Sequence, residues 1–325
     1  MQNWTSLPDI NCGLNSHEDW TLVTSNLRGV EGGDRDLWRA IRLQAAERGL
    51  SVEDCFQACR RIRHGIFLSR SIDEFLDTHS ANKAINFVGK MAIAKCILDY
   101  EKKSPIFINT SNIYNEMEFG CIHDKWYAKA FSLLASGVGV ANIAKLFSNI
   151  AVISFNYDRS LEFFLLHAIY NHYGCTLEEA SNTLATLSIY HPYGLVGELS
   201  GHTNQSGAVP FGHTGSPRVD LLQTYTEQIA DAKMLAGIKA AVADSERIIF
   251  LGFGFHEQNI ELLSVDSKDH FRNVFATTLG ISNADKRIIS IKLAQSGISS
   301  GNIHLSDLSC SSMFDEYLRT FSYAA

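Results

Sequence analysis

Short apolar runs that end abruptly in small or polar residues constrain this chain more than any other feature. Ile150-Ala151-Val152-Ile153 reads as a fully buried β-strand and empties into Ser154-Phe155-Asn156-Tyr157-Asp158-Arg159-Ser160-Leu161-Glu162. Ile248-Ile249-Phe250-Leu251 does the same ahead of Gly252-Phe253-Gly254-Phe255, and an apolar approach delivers Tyr190-His191-Pro192-Tyr193-Gly194. Further strands are predicted at 273–278 and 302–305. Stretches of helical spacing separate these runs. Strands alternating with helices make a mainly parallel sheet covered on both faces. The expected class is therefore α/β, a Rossmann-like sheet with helices on both faces plus a helical insertion. In open sheets of this kind the carboxyl ends of the strands meet at one edge, where ligands bind.

The first half of the chain reads as helix. Leu37, Ile41, Ala45 and Leu50 recur at helical spacing within 34–64, and Ser51 restarts the helix as an N-cap. Ser71 opens another, with Glu74 at the capping-box position. A long helix is predicted from Phe87 to Lys102, stopped by Pro105, with further helices at 126–134 and 142–147. Beyond the first strand, helices are predicted at 161–172, 176–187, 220–244, 256–263, 283–296 and 311–321. One domain spanning 1–325 is expected, with 34–148 as a mainly helical insertion and 149–325 as the Rossmann-like core. The glycine-rich segment 194–217 reads as a long loop, a common form for a lid.

Composition narrows the function classes. Apolar content of 46% and charged content of 19% are ordinary for a globular protein. No apolar run approaches the ~20 residues of a membrane span, and the first residues carry no basic-then-apolar leader pattern. A cytoplasmic protein away from membranes is expected. A net charge of −7 argues against a dedicated nucleic-acid binder, and the short cluster Arg60, Arg61, Arg63 reads as a solvated helix face. The 7 cysteines are odd in number and irregular in spacing, as for reduced thiols. Cys55 and Cys59 lack a second pair to complete a zinc site. His202 and His213 lack obvious carboxylate or thiol partners, so no metal is expected.

The order Asn156-x-Asp158, His191-x-x-Gly194, Gly252-x-Gly254 resembles the loops of the sirtuin-like NAD-binding family. Ser71-Ile72-Asp73-Glu74-Phe75-Leu76, Gly89-Lys90 and Glu101 are similar to the helical insertion of its bacterial members that act as NAD hydrolases in antiphage defence. The resemblance spans roughly residues 71–280. It implies NAD as a substrate, cleaved to ADP-ribose and nicotinamide through an oxocarbenium-like ribose. By that resemblance Asn156 places the water and the ribose, His191 is the general base, and Asp158 holds the loop through backbone N–H bonds. Ser154, Phe155, Gly194, Gly252, Phe253, Gly254 and Asn259 would line the nucleotide, Asn259 toward the adenosine ribose.

The residue types suit the task. An amide offers a donor and an acceptor in fixed geometry without a charge, and a histidine takes a hydroxyl proton near neutral pH. On spacing alone, simpler roles stand beside these. Asn156 and Asp158 are good caps for a helix near Ser160, His191 before Pro192 is an ordinary loop residue, and Gly252 and Gly254 permit a tight turn.

The chain departs from the family at its start. Where the family has a strand and Gly-Ala-Gly-x-Ser to cradle a pyrophosphate, this chain has Thr5-Ser6-Leu7-Pro8-Asp9 ahead of Cys12. Gly29, Gly32 and Gly33 follow no strand pattern. A truncated start or a loss of ordinary phosphate binding is expected. With it comes a second reading, a catalytically weak NAD- or ADP-ribose-binding or assembly module that supports a partner protein. The missing four-cysteine zinc module argues against a protein deacylase. Little length remains for a fused sensor, so a homo-oligomer or a separately encoded sensor or ATPase partner is expected to gate activity.

Overall fold

The computed structural model describes residues 34–69, 71–112, 114–199, 208–213, 219–223, 231–266 and 271–322. Thr5–Asp9, Gly29, Gly32, Gly33 and His202 lie outside the described residues. The first elements are helices: α1 (Arg35–Glu47), α2 (Val52–Gly65), α3 (Ile72–Thr78), α4 (Lys83–Lys103), α5 (Phe119–Ile122) and α6 (Trp126–Ala135), with 3-10 turns at Ile66–Leu68 and Val140–Lys145. Strands then alternate with helices: β1 (Ala151–Ile153), α7 (Ser160–Tyr173), α8 (Leu177–Leu184), β2 (Ser188–Tyr190), α9 (Ala232–Asp244), β3 (Arg247–Phe250), α10 (Glu257–Leu263), β4 (Asn273–Thr277), α11 (Asn283–Gln295), β5 (Ile303–Ser306), α12 (Cys310–Glu316) and α13 (Leu318–Ser322). All strand pairings are parallel, β1 with β2 and β3–β4–β5 in sequence order. The chain is α/β, with small parallel sheets flanked by helices in a Rossmann-like arrangement. Among the described residues no helix is long and apolar enough to cross a membrane.

Capping fixes where many of the helices begin. Asp34, Ser51, Ser71, Asn82, Thr176, Asp231, Ser282 and Ser309 each accept a first-turn backbone N–H, which stabilises a helix by about 1 kcal/mol. Ser51 with Asp54 and Thr176 with Glu179 form complete capping boxes. The long helix starts at Lys83 rather than Phe87, because Asn82 takes the Ile85 N–H. The predicted helix at 142–147 is instead a 3-10 turn at Val140–Lys145. The predicted helix from 220 is also corrected. Residues 219–223 form a turn whose Leu222 bridges Gly194, and α9 begins only at Ala232, capped by Asp231.

Burial differs from the reading of β1 as fully buried. Ala151 is exposed and Val152 and Ile153 are half-buried, as expected for a strand with one ladder partner. The buried strand is β4, paired on both edges, where Val274, Phe275, Ala276 and Thr277 are all inside. Helix α4 is buried on nearly every side, through Val88, Met91, Ala92, Leu98 and their neighbours, so it is the centre of a helical layer with α1, α2 and α3 around it. Tyr157 and Tyr193, from the loops after β1 and β2, pack into that same layer. The helical layer and the strand ends therefore share a core.

Candidate functional site

The loops that follow β1, β2 and β3 come together through their aromatic rings, although β1–β2 and β3–β4–β5 are separate sheets. After β1 the ladder runs one residue further, with the Ser154 N–H donating to Tyr190 O at 2.8 Å. The chain then turns, leaving Asn156 exposed and Phe155 half-buried. The Phe155 ring lies 5.8 Å from Tyr193, in the loop after β2, and 5.2 Å from Phe253, in the loop after β3. Phe253 in turn packs on Phe250 at 4.9 Å and Phe255 at 5.0 Å. These separations suit offset and edge-on aromatic packing. The rings join the β1–β2 pair to the β3–β5 sheet, and Ile153 and Tyr190 pack against the same core cluster as β3 and β4.

His191 is held from inside the protein. Its Nε2 lies 2.7 Å from Glu162 Oε1, and its Nδ1 lies 3.4 Å from Asn156 O. The two side chains are 10% and 15% exposed, and Glu162 sits in the first turn of α7. An ionised carboxylate only accepts, so Nε2 carries the hydrogen and donates to it. The lone pair is then on Nδ1, at the more exposed side of the ring beside Asn156. Asn156 O can only accept, so the Nδ1 contact becomes a hydrogen bond when Nδ1 takes a proton, and Glu162 then faces the new positive charge.

The other predicted residues divide by contact. Asp158 Oδ1 accepts the Ser160 N–H at 3.0 Å, a local turn that starts α7. Gly194 is required by geometry: its φ is +76°, and a Cβ there would stand 1.7 Å from Leu221 O. It leads a clamp in which Leu195 N–H donates to Leu221 O and Gln223 N–H donates to Tyr193 O. Tyr193 O–H donates to Oδ1 of the buried Asn259, tying the β2 loop to α10. Gly252, with φ +61°, is exposed, and its N–H donates to Thr277 Oγ1 at 2.8 Å. Gly254 is exposed beside His256. Between them and α10, Phe255 holds φ +53° while buried, the one non-glycine with positive φ among the described residues. Such a backbone costs about 1–3 kcal/mol and persists only where packing fixes it.

Several side chains in the motif-bearing stretches build this edge through pairings that the sequence does not reveal. Arg159 is buried behind Asp158 and pairs with Glu101 of α4 through bonds of 3.0 and 2.6 Å. It also donates to the carbonyls of Gly197, Val209 and Pro210, so it pins the loop after β2. Tyr157 reaches Asp73 in α3 and Gln223 O. Glu162 stands 6 residues after Asn156, a spacing that carries no obvious periodicity across a loop-to-helix turn.

Among the described residues no cluster of three His, Cys, Asp or Glu side chains is arranged to hold a metal ion. Cys55 and Cys59 are buried on α2, and burial pushes their thiols up to about 11 and about 12, which makes them poor ligands and nucleophiles. A cavity of about 410 Å³ lies apart from the strand ends, on the helical layer, and is lined by Arg61, His64, Leu68, Phe75 and His79 among others. His64 lies in the last turn of α2, and His79 is the C-cap of α3. No family model, no curated protein and no solved structure matches this chain.

Proposed function

We propose that this chain is an NAD glycohydrolase-type enzyme of the sirtuin-like kind, cleaving NAD to ADP-ribose and nicotinamide. The reading is carried by the half-buried His191–Glu162 pair set against the Asn156 backbone where three strand ends meet. Breaking the nicotinamide–ribose bond needs orientation and charge stabilisation more than covalent help. In this reading Asn156 holds the ribose and a water through its amide. The water oxygen bonds to the ribose carbon as the carbon–nitrogen bond breaks, and nicotinamide leaves with the bonding electron pair. The water's proton passes to His191 Nδ1 and then to solvent. Glu162 keeps the ring in the productive tautomer and faces the imidazolium. Phe155 and Phe253 supply an apolar wall that excludes water.

The fit to a dinucleotide is partial. Exposed Gly252 and Gly254 allow close backbone approach, while the Gly252 N–H is already engaged by Thr277. The setting we propose is a cytoplasmic antiphage effector that depletes NAD, gated by self-assembly or by a separately encoded sensor or ATPase partner. One sequence observation favours a second reading, an NAD- or ADP-ribose-binding or assembly module: the Thr5–Asp9 segment, which by the resemblance corresponds to the family's glycine loop, has no glycine and carries Pro8 and Asp9.

Nicotinamide release by the wild type, Asn156→Ala and His191→Ala, with circular dichroism on each, tests the assignment. Both variants should keep their fold and lose about 10²–10⁴-fold in rate. Wild-type turnover in both would overturn the site. NAD binding without turnover in the wild type would move the conclusion to the second reading.

A further inference from the structure

The Asn156 loop rests on a buried carboxyl whose protons do not balance if it is ionised. Tyr157 Oη lies 2.9 Å from Asp73 Oδ1 and 3.0 Å from Gln223 O. A phenol carries one proton, and an ionised Asp73 would make both neighbours pure acceptors. One pair of oxygens would then face each other at hydrogen-bond distance with no proton between them. Asp73 Oδ2 has no partner, and the residue is 1% exposed. An ionised oxygen left unserved in such a place is strongly unfavourable. A neutral carboxylic acid removes both faults. Its O–H donates to Tyr157 Oη, the Tyr157 O–H donates to Gln223 O, and Oδ2 becomes an uncharged carbonyl.

We propose that Asp73 is a positioning residue that works as a neutral acid, the first donor in a chain from Asp73 to Tyr157 to Gln223 that locks the Asn156 loop to the His191 loop. The proposal rests on the reading of Asn156 and His191 as the reacting pair. The chain reaches both. Val196 N–H donates to Tyr157 O at 3.2 Å, and Gln223 N–H donates to Tyr193 O at 2.9 Å, two residues beyond His191. Asp73 itself touches no substrate in this arrangement.

Burial pushes the Asp73 carboxyl up to about 6, against hydrogen bonds from Tyr157 and the backbone that favour the charged form. The start of α3 also favours a charged carboxylate, so burial is the effect that wins. Charged groups on the surrounding elements have other partners. Lys90 of α4 donates to Leu222 O, Arg159 pairs with Glu101, Asp158 accepts the Ser160 N–H, Asp220 pairs with Arg48, and His191 pairs with Glu162. Glu74 and Asp77 share α3 with Asp73. The sign follows from the raised value. The neutral acid, and the lock, dominate at low pH and are lost as pH rises through about 6.

The test compares wild type, Asp73→Asn, Asp73→Ala and Tyr157→Phe by nicotinamide release between about pH 5 and about pH 8, separating kcat from KM. An asparagine amide donates to Tyr157 at every pH. Asp73→Asn should therefore keep the wild type's low-pH kcat and lose the decline near pH 6. Asp73→Ala and Tyr157→Phe should lower kcat by about 10²-fold, as for a small displacement of reacting groups, with KM little changed. Should Asp73→Ala fail to fold, Tyr157→Phe and Asp73→Asn carry the comparison. Infrared difference spectra of wild type against Asp73→Asn give a second readout. A protonated-carboxyl band present at low pH and fading as pH rises supports the neutral acid even if the protein releases no nicotinamide. Absence of that band at all pH values, or an Asp73→Asn variant as slow as Asp73→Ala, would overturn the proposal. Loss of wild-type turnover with the band intact would instead overturn only the hydrolase reading.

Discussion

Glu101→Gln should cost this fold far more than the loss of a surface charge. The Glu101 and Arg159 side chains are each 1% exposed, and they meet through Nε–Oε1 at 3.0 Å and Nη2–Oε2 at 2.6 Å. Glu101 Oε2 also accepts the Gly212 N–H at 2.9 Å. Burial holds the Glu101 carboxyl above its ordinary value, although the guanidinium and the Gly212 N–H pull it back; the charged form has three charge-assisted bonds. The amide variant leaves a buried guanidinium without its counter-ion, a loss of about 3–5 kcal/mol. It also turns one acceptor into a donor facing other donors, about 1–3 kcal/mol for each buried group left unserved. These effects share one site and overlap rather than add, so about 4 kcal/mol is expected. Urea unfolding followed by tryptophan fluorescence measures it. Adding Arg159→Met to Glu101→Gln should cost less than the sum of the singles, by more than ~1 kcal/mol, because the charge is no longer stranded. A Glu101→Gln shift below ~1 kcal/mol, or a strictly additive cycle, would show that the pair is solvated and that the argument from burial fails.

Glu162→Gln lets an amide N–H point at His191 Nε2, which drives the hydrogen to Nδ1 and removes the lone pair from the cleft side. Nicotinamide release should fall about 10²–10⁴-fold with an unchanged circular dichroism spectrum, and a wild-type rate would sink the proposed role of Nδ1. Gly194→Ala places a methyl 1.7 Å from Leu221 O at a φ of +76°. The backbone strain alone is about 1 kcal/mol, and residues 219–223 must move, so melting should drop by at least about 2 °C with faster proteolytic nicking at 219–223. Unchanged melting and nicking would mean that the clamp yields without cost.

The strands were legible because each is a short apolar run that ends in residues suited to turns. β1, β3, β4 and β5 fall within a residue or two of their predicted places, and β2 is the apolar approach to Tyr190. Helix starts were legible where a cap stands in the sequence, as at Ser51, Ser71 and Thr176. What failed were inferences that depend on partners. The apolar run at 150–153 gives no sign that β1 has a ladder on one edge only, so its exposure was misjudged. Residues 220–231 have helical composition, yet Leu222 is drawn into a bridge with Gly194, and tertiary pairing overrides propensity. The loops after β1, β2 and β3 were found by pattern. Glu162, Arg159, Glu101 and Asp73 stand in the motif-bearing stretches, but how they pair was not legible, because they act across distances in sequence that no local period encodes.

Asn156, His191 and Glu162 all ride on β1, β2 and α7, whereas Gly252, Gly254 and Asn259 belong to the sheet of β3, β4 and β5. Between the two pieces, among the described residues, the strand ends meet through rings, Phe155 on Phe253 with Tyr193 alongside, and through one buried hydrogen bond from Tyr193 to Asn259. Hydrogen-bonded ladders fix a register along their length, whereas here rings and that hydrogen bond set the distance between the pieces. A substitution at one ring can therefore widen or narrow the cleft while the reacting pair keeps its spacing. If Asn156 and His191 act as proposed, chemistry and grip reside on separate pieces of the fold, and the width of the cleft is set by the rings between them.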